Sequence, residues 1–221
     1  MLWLHLAWSH TINISPTKIL LSKKKPFSAI SLSNPTDDDM VFEVDAEQWS
    51  QQNGKDVMHD TADILASPVV FKIPPHKSQV VRVALEKAKD TANEKTYRLL
   101  FREVARAEKA PSADSVRVQL EISLPVFVLP REELHTDWRW QSRNLSKHKL
   151  QFRFINQGND VVFIDKMRIY DKKHKAITKE SKTFAYVLPG QEHDWVLETL
   201  DSNKPEFADV KVNERMMEKH V

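Results

Sequence analysis

Nine histidines are the first residues to weigh for chemistry, and they stand isolated along the chain. There is no HxxxH or HExxH, the spacings that would set two imidazoles on one helix face around a metal. Asp37-Asp38-Asp39 has the look of a cation loop's start, but no glycine-bearing loop and no bidentate glutamate follow, so a turn is expected. His59-Asp60 has no serine in a GxSxG elbow to act on. With 3 glycines the chain cannot build a GxGxxG or P-loop phosphate cradle, and with no cysteine it has no thiolate nucleophile, thiolate metal site or disulfide. The residue types therefore point away from an enzyme, and no metal or other cofactor is expected.

Composition narrows the class further. The 221 residues suit two domains of about 100 residues each. Hydrophobic residues make up 41% and charged residues 29%, with no run of about 20 apolar residues, so no membrane insertion is expected. The 33 basic and 31 acidic residues are spread along the whole chain, which gives no electrostatic footprint for nucleic acid.

What remains is binding through shape, and one stretch carries the strongest pattern. In Ser115–Pro130, Val116, Val118, Leu120, Ile122 and Leu124 alternate with Arg117, Gln119, Glu121 and Ser123, so an extended backbone has one apolar face. From Leu124 to Leu129 the run is apolar throughout, and Pro125 within it lacks the N–H a central strand needs, which places part of the strand at an edge. Such an edge invites pairing with another chain. Two readings stay open on pattern alone: a strand that closes its own sandwich core, or one offered to a partner.

The rest of the chain has the cadence of short strands between turns. Thr11–Ser22, Ser28–Ser33, Val41–Trp49, Ser67–Phe71, Ser78–Leu85 and Thr96–Val104 read as strands, separated by Asn34-Pro35, Asn53-Gly54 and Pro74-Pro75. Lys55–Leu65 reads as a polar connection. Arg131–Thr136 is a polar link at the midpoint, and Trp138–Trp140, Leu150–Ile155, Val161–Ile169, Ser181–Leu188 and Asp194–Leu197 continue the pattern. Asn34-Pro35-Thr36-Asp37 is echoed by Asn156-Gln157-Gly158-Asn159, and IPPH before Ser78 by LPG before a late strand, which suggests two copies of one plan. The expectation is an all-β protein with domains at 11–130 and 131–221. Residues 1–10 read either as the tail of a secretory signal or as a disordered or strand-forming terminus.

The sequences NISPTKILLS, SLSNPTDDDMVFEV, SPVVFKIPPHKSQVVRV, YRLLFREV and VRVQLEISLPVFVLP together resemble the periplasmic chaperones of fimbrial and pilus assembly, the PapD-like family. SLPVFV and the W-SQQNGKD turn are most similar to the archaic, spore-coat-U-type systems. The resemblance implies two immunoglobulin-like sandwiches set at an angle with a cleft between them. It implies a periplasmic chaperone that donates a strand to incomplete subunits and delivers them to an outer-membrane usher. Val116, Val118, Leu120, Ile122 and Leu124 become the donor residues. Family members also hold the subunit's terminal carboxylate with two basic residues. The first matches Lys18; the second falls at Pro125, a departure that leaves Arg98 or Arg102 as substitutes. Self-association through the sticky edge is a further expectation. The alternative is an extracellular Ig-like adhesion or carbohydrate-binding module, for which Trp138 and Trp140 are the candidate contact aromatics.

Overall fold

The alternation read along Val41–Trp49 becomes a long strand whose two faces have different fates. Phe42 and Val44 are buried while Glu43 and Asp45 are exposed, as a period of two requires. After Ala46 the phase reverses, and Trp49 and Gln51 are the buried residues. The computed structural model describes residues 12–86, 91–104, 119–200, 204–213 and 215–220. By packing, Met1–Gln48, His59–Lys89 and Thr96–Val128 form one unit, and Trp49–Met58, Asp90–Lys95 and Leu129–Val221 the other. The phase reversal thus falls at the boundary between the two units, at Gln48 and Trp49. Among the described residues there is no helix.

The first unit is a sandwich of two sheets. One has the order β1 (Asn13–Ser15), β3 (Phe27–Ser33), β8 (Ser78–Leu85), β6 (Ile64–Ser67). The other runs β2 (Ile19–Leu21), β10 (Glu121–Val128), β9 (Lys95–Glu103), β4 (Met40–Gln52), β5 (Lys55–Asp60), with β7 (Val70–Ile73) also paired to β4. Between them lies one core of Ile30, Leu32, Phe42, Ile73, Val81, Val83, Leu99, Phe101 and Val126, each scarcely touched by solvent. Lys55–Leu65 is not a plain connection, because β5 closes a hairpin on β4 through Asn53 and Gly54, both at positive φ. An edge strand solvated on both faces has no apolar alternation by which it could be read.

The second unit repeats the plan. One sheet is β11 (Trp138–Ser146), β12 (Lys149–Asn156), β15 (Glu192–Glu198); the other is β14 (Ser181–Val187), β13 (Val162–Tyr170), β16 (Phe207–Val212), β17 (Arg215–His220). Trp138 stacks on Phe154 at 4.8 Å and Trp140 on Phe152 at 5.4 Å, and both tryptophans are buried in this unit's core. That placement removes the two aromatics on which the adhesion-module alternative rested. Gln51 is held here too: its side-chain N–H₂ donates to the Tyr186 carbonyl at 2.9 Å and its oxygen accepts from the Leu188 N–H at 3.0 Å. These bonds are why 49–58, which the sequence groups with 11–130, packs in the second unit.

The echo between the two Asn turns extends to three matching bonds at each asparagine. Asn34 donates to the Asp38 carbonyl at 2.7 Å and the Ile73 carbonyl at 3.0 Å, and accepts from the Thr36 N–H at 3.0 Å. Asn156 donates to the Asp160 carbonyl at 2.8 Å and the Val187 carbonyl at 3.0 Å, and accepts from the Gly158 N–H at 3.0 Å. The same register sets Pro74 against Leu188, Pro75 against Pro189 and His76 against Gly190, through the bonds Lys77 N–H to Pro74 O and Gln191 N–H to Leu188 O. Both turns need a buried side chain that is donor and acceptor at once, which asparagine supplies.

Candidate functional site: an open strand edge beside two basic residues

Strand β10 takes its geometry from the neighbours on either side. Its partner β9 is antiparallel, and the Glu103 N–H donates to the Leu120 carbonyl at 2.8 Å while the Glu103 carboxylate accepts from the Leu120 N–H at 3.1 Å. On the other side β2 pairs in parallel with Val126–Val128 alone, Ile19 opposite Val126. Among the described residues, no strand covers Glu121–Pro125 on that side. The backbone there is an unfilled sheet edge of the kind that accepts a further strand.

The apolar face of the strand divides along its length. Leu124, Val126 and Val128 are buried in the first unit's core, whereas Leu120 and Ile122 only pack partly against it. Val116 and Val118 lie outside the described residues. Leu124, expected among the donor residues, is thus taken up by the chain's own sandwich, at 5% exposure. The strand is thus a core strand from Leu124 onward, with Leu120 and Ile122 incompletely covered before it.

The basic residues lie on the opposite, outward face. Ile19 and Leu21 point inward, so Lys18 and Leu20 alternate outward, and Lys18 is exposed with no ion pair among the described residues. On β9 the inward residues are Tyr97, Leu99 and Phe101, which leaves Arg98 and Arg102 on the same outer face. Arg102 is engaged by three carboxylates: its Nε lies 3.2 Å from Glu121, and its terminal nitrogens 3.7 Å from Asp45 and 3.7 Å from Glu47. Continuing the register from Glu103 opposite Leu120 sets Arg98 opposite Pro125. Lys18, one residue before Ile19, falls on the other flank of the same proline. The sequence alone could not rank the two arginines, because ranking depends on a register between strands seventeen residues and a loop apart.

Among the described residues no group of three His, Asp or Glu side chains could hold a metal ion. No helix is long and apolar enough to cross a membrane, again among the described residues.

Two sandwiches, a mid-chain strand with an open edge and cations beside it define an immunoglobulin-like module of the sort that binds other chains by strand addition. The chain belongs to the pili and flagellar-assembly chaperones: the PapD N-terminal domain matches residues 11–133. No curated protein is similar enough in sequence to match. Among solved structures, the chain superposes on one from the CsuC–CsuE chaperone–tip adhesion subunit complex of the archaic chaperone-usher Csu pili of Acinetobacter baumannii. The TM-score is 0.71 at 17% identity, over 95% of this chain and 97% of that one. A chain of the Salmonella enterica SafA pilin–SafB chaperone complex gives 0.67 at 13% identity, over 96% of each. The E. coli chaperone DraB gives 0.65 at 12% identity, over 96% and 99%. At these identities the likenesses show the fold, two domains included.

Proposed function

We propose that the protein is a periplasmic chaperone that binds incomplete fimbrial subunits by lending them the strand before Leu124 and hands them to an outer-membrane usher. The observation that carries this is the uncovered edge at Glu121–Pro125, continuous with the half-buried Leu120 and Ile122. Val116, Val118, Leu120 and Ile122 enter the subunit's groove, each contributing roughly 1.5–3 kcal/mol if fully desolvated, before the cost of association. Leu124 stays in the chaperone's own core. The captured complexes of CsuC with CsuE and of SafB with SafA support a chaperone-to-subunit partnership for this fold. Residues 11–130 are the subunit-binding domain in this reading, and 131–221 the second.

Lys18 and Arg98 flank Pro125 and hold the subunit's C-terminal carboxylate, fixing its register. Arg98 supplies the second cation that Pro125 cannot. No nucleotide or metal takes part: replacement of the chaperone–subunit pairing by subunit–subunit pairing supplies the driving free energy.

The test is recovery from the periplasm of a subunit encoded beside this gene. Wild type should bring the subunit down, and a Val118→Asp/Leu120→Asp variant should lose it while staying folded. Unchanged recovery with that folded variant would remove the mechanism.

A further inference from the structure

The two outer faces of the first unit differ in charge. On the six-stranded sheet, β4 and β9 turn Glu43, Asp45, Glu47, Arg98 and Arg102 outward. On the four-stranded sheet, the outward residues of β3, β8 and β6 include Phe27, Ala29, Val80, Ala84 and Leu65, with Arg82 the charged side chain among them. Phe27, Ala84 and Leu65 form one cross-strand row, and Phe27 is 68% and Leu65 46% exposed. That is a row of apolar side chains left in water at the end of a sheet whose neighbour is densely charged.

Lys23, Lys24 and Lys25, all exposed, run directly into this row through Pro26. Their turn is fixed to it: the Ser22 and Lys25 backbones bond each other at 3.0 and 3.1 Å, and the Leu85 N–H donates to the Pro26 carbonyl at 2.8 Å. The Lys24 and Lys25 side chains make no ion pair among the described residues, and Glu86 is the exposed carboxylate at that end of β8.

We propose that this turn and the Phe27 row dock the first unit on an anionic lipid surface. The combination decides between kinds of partner. Lysine is depleted from protein interfaces, because its strongly hydrated ammonium resists desolvation. A bilayer surface takes both features together: aromatic and leucine side chains settle at the headgroup boundary while lysines stay hydrated among anionic headgroups. With one short row and one lysine cluster the attachment is weak and reversible, so a bound chain exchanges with solution.

The experiment is co-sedimentation of the full chain with vesicles of phosphatidylcholine alone or with phosphatidylglycerol added, at low and high salt. Wild type should pellet with the anionic vesicles, be released by salt, and stay in solution with the zwitterionic ones. At about fivefold per basic residue, Lys24→Ala/Lys25→Ala should weaken partitioning about 25-fold. Phe27→Ser should weaken it about tenfold; its exposure means the fold survives, which circular dichroism checks. No sedimentation with anionic vesicles, equal sedimentation with both, or binding undiminished in the two folded variants would each overturn the proposal. So would a Phe27-dependent dimer in light scattering without vesicle binding, which would assign the face to a second copy.

Discussion

The Arg102 guanidinium and the Glu121 carboxylate face each other at 3.2 Å across β9 and β10, and this pairing sits where the register places it. The same register carried four residues along puts Arg98, not Arg102, beside Pro125. The two arginines therefore differ in surroundings although they share a strand and a face.

Neutralising them one at a time should separate the roles. Arg98→Ala should lower subunit affinity at least tenfold, the scale of losing a charge-assisted bond to a carboxylate. Arg102→Ala should leave affinity within a few-fold and cost no more than about 1 kcal/mol of stability, since its ion pairs are partly solvated. Titration of the purified chaperone with a subunit lacking its own complementing strand, alongside urea unfolding, reads both. Equal loss in the two variants would refute the assignment.

Asn34 and Asn156 should be the most costly polar residues to remove. Each is fully buried; Asn34 ties three carbonyls and an N–H and Asn156 two carbonyls and an N–H, all of which alanine would strand. Asn34→Ala and Asn156→Ala should each lose about 2–4 kcal/mol in denaturant unfolding. Gly158 belongs to the second turn, where an added Cβ would lie 2.2 Å from the His135 carbonyl oxygen and 2.8 Å from the Asp137 nitrogen. Gly158→Ala should be as damaging as Asn156→Ala, through overlap with backbone that has no room to move.

His76 and Gly190 occupy equivalent turns at φ of 55° and 73°. A side chain at such a φ costs about 1–2 kcal/mol, so His76→Gly should stabilise the first unit by up to about 1 kcal/mol once its exposed contact with Asp37 is lost. Gly190→Ala should do the reverse in the second unit, although nothing lies near its Cβ position. Midpoints in urea would show the opposite signs.

Acid should weaken the second unit in two separate stages. Burial pushes the His193 pKa below histidine's ordinary 6.5, against the opposing pull of Asp194 and Asp56. The folded state then binds fewer protons than the unfolded chain, so the stability present above pH 6.5 declines as pH falls through the folded value. The Lys219 ammonium, 2.7 Å away, holds Asp137 below 3.8, and the Arg153 guanidinium does the same for Asp194. Their contribution is complete above 3.8 and fades at lower pH. A His193→Gln variant should flatten the thermal midpoint between pH 7 and 5 and leave the lower stage intact; a slope unchanged by it would assign the effect elsewhere.

The sequence determined the all-β class, nearly every strand with a dry face, both Asn turns and the family, because alternation, turn residues and local motifs are written in consecutive positions. It was silent on β5, solvated on both faces, and β16–β17 drew no reading although Phe207–Val212 alternates. Pairing across the chain was beyond it. The register that sets Arg98 beside Pro125, the burial of Leu124 in the first unit's core, and the packing of Trp49–Met58 with the second unit are tertiary decisions. Each depends on which strand lies next to which: Leu124 fills a place in the first unit's core, and Gln51 finds partners 135 and 137 residues away.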